Sequence, residues 1–320
     1  MTQTVGTYST YDIKGAREDL QDKIYMISPT DTPFQANVGT QSVKATKHEW
    51  QTDALAAAAS NAFVEGDEFS YAAPAATVRV GNYTQISRKT FLITETTEAV
   101  EKAGRKSEVS YQLAKQGKEI KRDIETDLLG KNASVAGNDT TARKSGGFEA
   151  WLTSNDARGA LGVQGGYNVA TGVVDTVTDG TQRAFTEDLL KDAQQLAFTS
   201  GGEPSILMLG PFNKRKFSGF TGISDLRKDT PGKSQATIIG AADYYTGDFG
   251  GLAVIVNRFQ RDRSALLIDP EYANMGWLRR MKHVEPAIIA DAEPHVLICE
   301  WTLIVENEAA HAIVADLLTT

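Results

Sequence analysis

Gly232-Lys233-Ser234 has the residue types that close a phosphate-binding loop, where glycine N–H groups and a lysine cradle a nucleotide. That motif also needs a glycine five places before its second one, and Arg227 stands there. Nucleotide chemistry is therefore not expected. His295 and Cys299 are the types for a thiolate and its base. However, Leu297, Trp301, Leu303 and Val305 alternate with Cys299 along one strand-like face, and burial raises a thiol's pKa rather than activating it. The four histidines, His48, His283, His295 and His311, fall into no H-E-x-x-H or other recognised ligand spacing. No G-x-S-x-G nucleophile elbow occurs. The expectation is a protein with no catalytic residue, cofactor or metal, with a cytosolic α/β enzyme as the remote alternative.

Charged clusters are the remaining candidates. Acid pairs such as Asp67 and Glu68 read as solvated surface. So do the basic runs NKRKF (213–217), RFQRDR (258–263) and LRRMK (278–282), which could touch phosphate but more simply face water. The 320 residues carry 33 Lys and Arg against 41 Asp and Glu, a net charge of −8. Tight binding to a phosphate backbone needs surplus cations, so this balance argues against it. One cysteine permits no disulfide within the chain and suits a reducing cytosol. The opening residues lack the basic and apolar segments of an export signal, and no window approaches about 18 consecutive apolar residues, so no membrane association is expected.

Whatever these groups do, secondary-structure elements must place them. The clearest is a helix from Ser107, in which Val109, Leu113, Ile120, Ile124 and Leu128 recur at spacings of three, four or their sum and form one apolar stripe. On its wet side Lys115 can pair with Glu119 and Lys121 with Glu125, and Gly130 supplies a stop. The Gly-, Thr-, Asn- and Asp-rich stretch 130–186, with GGFEAWL as an island, predicts short strands and surface excursions. Thr186 can cap a second helix carrying Leu189, Leu190, Ala193, Leu196 and Ala197, which Gly201 and Gly202 end. Strands at SILML, LAVIV and ALLI then suggest an α/β domain. HVLICEWTLIVE reads as a long closing strand with one face on a core. Near the start, Pro29 and Pro33 around Thr30 and Asp31 favour a turn, with Ile24, Ile27 and Phe34 able to pin an arm on a neighbouring surface.

Residues 52–80, TDALAAAASNAFVEGDEFSYAAPAATVRV, fit none of this. They hold alanines, threonines and acids where a core strand would carry branched apolar residues, yet strand-like sequence flanks them on both sides. Such a segment is either disordered or lies on something else.

The order of parts resembles the major capsid proteins of tailed bacteriophages with the Hong Kong 97-like fold: arm, extended hairpin, long helix, inserted α/β domain, closing strand. The phrases YDIKGAREDLQDKIYMISPTDTPF, GGFEAWL, GPFNKRKFSGFTG and YYTGDFGGLAVIVNRFQRDRSALLIDPEYANMGWLR are similar to a podophage-type family of such coat subunits. The resemblance implies an α+β fold with an N-arm at 1–39 and an E-loop at 40–94. It places a P-domain of spine helix and antiparallel sheet at 95–184, closed by C-terminal strands at 287–320, and an α/β A-domain at 185–286. It implies that Ala54, Leu55, Phe63, Val64, Phe69 and Tyr71 lie on a neighbouring subunit, and that the stripe from Val109 to Leu128 faces the P-domain core.

The same resemblance implies pentamers and hexamers in an icosahedral shell around double-stranded DNA, without sequence-specific binding. Assembly would take place in the host cytoplasm, with a portal, a decoration protein and, because the arm starts close to Met1, a separate scaffolding protein. The fold's namesake crosslinks through an E-loop lysine, but none lies between Lys47 and Lys89 here, which predicts non-covalent assembly. An encapsulin-type nanocompartment is the alternative shell.

Overall fold

A computed structural model describes residues 28, 30–220, 243–288 and 290–320. Ile24, Ile27, Pro29 and the loop-like 232–234 lie outside them. Helix α1 (Pro33–Asn37) buries Phe34. The long helix α3 (Glu108–Leu128) begins at Ser107, whose hydroxyl accepts the Ser110 N–H at 3.2 Å, one of the donors a helix start leaves without a partner. Between α1 and α3 lies the short helix α2 (Glu95–Ala99). Ile120, Ile124 and Leu128 are fully buried, each contributing roughly 1.5–3 kcal/mol, while Val109 and Leu113 are half-buried. Glu125 departs from expectation. It points inward with no exposed surface, because it receives N–H groups there rather than the Lys121 ammonium at the surface.

α3 lies against a four-stranded sheet ordered β1 (Gly39–Ser42), β12 (Ala273–Val284), β13 (Ala292–Val305), β4 (Gln85–Thr94). The sheet is not wholly antiparallel, as β1 runs parallel to β12. Hairpin partners must oppose each other, but the long chain between β1 and β12 leaves their direction free. Leu297, Cys299, Trp301, Leu303 and Val305 form the core face of β13. Its other face is covered too: Glu300, Thr302 and Ile304 are buried.

The second sheet has six strands, ordered β5 (Asp156–Ala157), β14 (Ala312–Ala315), β11 (Ser264–Ile268), β8 (Ile206–Leu209), β10 (Gly250–Val256), β9 (Tyr244–Gly247). Side chains alternate across a strand, and here the alternation separates two cores. Ile206, Met208, Leu266, Ile268, Ile313 and Ala315 join the core under α3. Leu207, Leu209, Ala265, Leu267, Ala312 and Val314 join a second core with Leu190, Ala193 and Ala197 of α5 (Glu187–Thr199) and Phe217 of α6 (Pro211–Phe217). Strands buried on both faces read as continuous apolar runs, as SILML and ALLI do. Thr186 caps α5 through the Leu189 N–H, and Gly201 follows its end at φ +89°, a conformation that favours glycine.

The sheets divide the chain differently from the expected spans. Residues 273–284, inside the expected A-domain span, are β12 of the four-stranded sheet, while β5 and β14, outside that span, belong to the six-stranded one. Likewise β1 and β4, within the expected E-loop at 40–94, pair in the main sheet. The Gly-rich stretch forms β5, the hairpin β6 (Gly166–Asn168) and β7 (Val173–Asp175), and the buried turn of α4 (Phe148–Trp151). A Cβ on Gly147, ahead of α4, would sit 2.1 Å from the Gly130 carbonyl oxygen, so the chain crosses itself there only with glycine.

Candidate assembly surface

Between β2 (Lys47–Thr52) and β3 (Val78–Tyr83) the chain leaves the body. The two strands pair antiparallel from Lys47↔Tyr83 to Thr52↔Val78 and make a closed stem. Its base is anchored. The Trp50 indole N–H donates to the Glu306 carbonyl at 3.2 Å and its ring lies 5.4 Å from that of Trp151. Buried Asn82 donates through Nδ2 to Ser145 Oγ at 3.0 Å and the Leu303 carbonyl at 2.8 Å, and accepts the Gly146 N–H at 2.9 Å. On the open side Glu49 pairs with Lys47 and Arg79.

Beyond this stem every residue from 53 to 77 is exposed, including Ala54. Leu55 is 99% exposed and Tyr71 93%, and Phe63, Val64 and Phe69 are similarly bare. Residues 53–77 form no strand or helix. They carry Asp53, Glu65, Asp67 and Glu68 and no Lys or Arg. Five large apolar side chains on one excursion are thus left exposed among the described residues, an unusual concentration for one segment. The anchors Trp50, Asn82 and Ser145 could not be read from the sequence, since the contacts that fix them span 63 to 256 residues.

The groups with chemical potential are placed otherwise. Cys299 is buried, its thiol pushed up to about 11 by burial. His311 is fully buried and pushed down to about 4, its Nδ1 accepting the Asp269 N–H at 3.1 Å. Burial also lowers the pKa of His48. His283 and His295, unrelated by any motif, meet at 3.1 Å on adjacent strands. The run 258–263 is not simply a solvated face. Arg261 reaches Glu149 at 2.7 Å and Asp179 at 2.9 Å, and Arg263 reaches Asp316 at 3.1 Å. Arg279 from the run 278–282 joins Arg143 on buried Glu300.

These pairs tie loops to sheets. Burial alone would raise the Asp179 carboxyl, but Lys131 and Arg261 hold it down at about 2. Burial pushes Asp156 up to about 6 against the pull of Arg158. Glu125 accepts the N–H groups of Phe34 (2.6 Å) and Gln35 (3.2 Å) and the Asn257 amide (2.7 Å), and burial raises its pKa despite them. Asp179 and Glu125 are held by structural donors, whereas Oδ1 of Asp156 is buried without a hydrogen-bond partner among the described residues. Two shallow depressions, one beside Ile86 and Arg143 and one between Phe91 and Glu108, hold no nucleophile paired with a base. No helix among the described residues is long and apolar enough to cross a membrane.

The sequence profile of the SU10 major capsid protein family matches residues 1–318. The chain is 33% identical over 253 aligned positions, covering 66% of it and 68% of the relative, to the major capsid protein of Escherichia phage Phieco32. Its fold matches the capsid asymmetric unit of cyanophage A-1(L) with TM-score 0.70 at 10% identity, over 97% of this chain and 99% of that one. It also matches a chain of the phage G assembly of gp27 major capsid proteins and gp26 decoration proteins, with TM-score 0.57 at 9% identity, over 99% and 100%.

Proposed function

From the premise that this chain belongs to the SU10 major capsid protein family and is the major capsid protein of a tailed phage, we propose how the subunit is divided and how it joins its neighbours. It is a structural protein of the virion, with a mixed α/β fold shared with phage capsid proteins. Within that fold, α3 and the four-stranded sheet act as the P-domain of a Hong Kong 97-like subunit, and the six-stranded sheet with α5 and α6 as its A-domain. Residues 53–77, on the β2–β3 stem, act as the E-loop. The loop lies across an adjacent subunit in each pentamer and hexamer of an icosahedral shell enclosing double-stranded DNA. Assembly takes place in the host cytoplasm with scaffolding, portal and decoration proteins.

The observation that carries this reading is the anchored stem with a bare apolar excursion. Leu55, Phe63, Val64, Phe69 and Tyr71 would gain their burial from the neighbour, and the four acids would meet bases on it. A modest contact repeated at every equivalent interface of a closed shell suffices to make it strong.

The test replaces residues 54–76 with a short Gly-Ser turn. Subunit melting followed by circular dichroism is expected to stay near that of the intact chain, because shortening a loop changes closure entropy by only tenths of a kcal/mol. Sedimentation under assembly conditions is expected to show large particles from the intact chain only. Particles formed as readily by the shortened chain would remove the loop from the interface.

A further inference from the structure

We propose that His283, Glu285 and His295 form a divalent transition-metal site at the loop end of the β12–β13 hairpin, with zinc as the best-fitting ion. Register places the three together. His283 pairs with Leu297 and Val284 with Val296, so positions 283, 295 and 297 share one face of the two strands, and Glu285 follows directly after β12. One potential ligand atom from each of His283, Glu285 and His295 lies within 4.8 Å of the other two. Among the described residues this is the one group of three such donors.

The two imidazoles approach in a way that suits a shared cation. His283 Nε2 and His295 Nδ1 are 3.1 Å apart. Two nitrogens on one tetrahedral zinc, at bonds of 2.0–2.1 Å, stand about 3.3 Å apart. The outer nitrogen of His295, Nε2, lies 3.9 Å from a Glu293 carboxylate oxygen, and Glu285, whose oxygen is 3.6 Å from His283 Nδ1, is the third donor. His295 is 4% exposed and its Nε2 has no hydrogen-bond partner among the described residues, and the proposal puts the ring proton there, on the side of Glu293. That tautomer leaves Nδ1 with a lone pair aimed at His283. A carboxylate behind a ligating histidine is the usual means of fixing tautomer and ring orientation. At 3.1 Å one inner nitrogen can donate to the other, and a cation would take the place of that shared proton.

Around the pair, Phe91 stacks 5.0 Å from the His295 ring and supplies an apolar wall. Glu285 and His283 remain accessible from solvent, which gives the ion an entry path. Imidazole nitrogens with one carboxylate favour zinc-like ions over calcium or magnesium, which prefer all-oxygen shells. Three protein donors leave at least one coordination position for water. The ion would staple the ends of β12 and β13, which the chain otherwise joins through an exposed connection.

The test titrates purified full-length subunit, stripped with chelator, with zinc chloride alone by calorimetry, and with cobalt chloride by visible spectroscopy. The expected result is one ion per subunit, a tetrahedral cobalt spectrum, and a melting temperature that rises with zinc and falls back on chelation. Glu293→Gln is expected to weaken affinity about 10–100-fold, as loss of an outer carboxylate does, with the stoichiometry kept. His283→Asn, at a partly exposed position, is expected to weaken it further and abolish the cobalt spectrum. Unchanged binding in His283→Asn would overturn the site. Absence of zinc binding, with a melting temperature that responds only to pH, would overturn it by showing that the pair shares a proton instead.

Discussion

The excursion at 53–77 and the strand β8 occupy opposite extremes of the same chain. In β8 all four residues are buried, with Ile206 and Met208 in one core and Leu207 and Leu209 in the other. On the excursion Leu55, Phe63, Val64, Phe69 and Tyr71 touch neither core. Apolar side chains of the sheets stabilise the subunit by itself, and under the proposed function those of the excursion would be buried only against a neighbour. Substitutions in the two regions should separate folding from assembly.

The largest effect is expected from Ile124→Asp. Burying an unpaired carboxylate beside Leu128 costs several kcal/mol, a large share of a domain's 5–15 kcal/mol. Soluble subunit should fall sharply, and a normal yield with an unchanged melt would show that α3 does not depend on that face.

Acid response comes next. Asp156 has a raised pKa, so it contributes more stability as pH falls from about 6 towards 4, by up to roughly 3 kcal/mol. His311 has a lowered pKa and stays neutral when folded, so its contribution is lost as pH falls from about 6.5 to 4, by a similar amount. The two oppose each other. Asp156→Asn removes only the first, and its melting temperature should drop more steeply between pH 7 and pH 4.5 than that of the unaltered subunit. An equal slope would mean that Asp156 titrates normally.

A smaller effect on folding is expected from Phe69→Ser. The isolated subunit should keep its stability within about 0.5 kcal/mol, as exposed positions do, while particle yield falls. A destabilised subunit would place Phe69 on its own body. No effect at all is expected from reductant on particles boiled in detergent: one band near 34.6 kDa with or without it, since Cys299 is buried and the excursion has no lysine. A ladder of multiples would reveal covalent joining.

What could be read from the sequence depended on distance along the chain. The caps at Ser107 and Thr186, the stripe at Ile120, Ile124 and Leu128, and the core face of β13 are local patterns of period 3.6 or 2, and they stand where the periods place them. The position of Glu125 was not legible, because its polar type suits the wet face and its donors are 90 or more residues away. The same holds for Arg261 with Glu149 and for His283 with His295, where only strand register or loop closure brings partners together. The excursion was visible for the opposite reason. Its composition fails every local template, and the structure gives it neither strand nor helix from 53 to 77.

The order of the four-stranded sheet also sets a timetable. β1 pairs with β12 and β4 with β13, so strands made early wait for strands made near the end of the chain, about 235 residues later in the case of Gly39 and Asn274. At about 5–20 residues per second a ribosome needs tens of seconds to supply them. During that interval β4 offers unpaired edges to other copies of the chain made at the same time, each able to pair with it wrongly. A capsid protein is produced in many copies at once, so how quickly each ribosome finishes and releases its chain would bear on how many subunits escape aggregation to reach a shell.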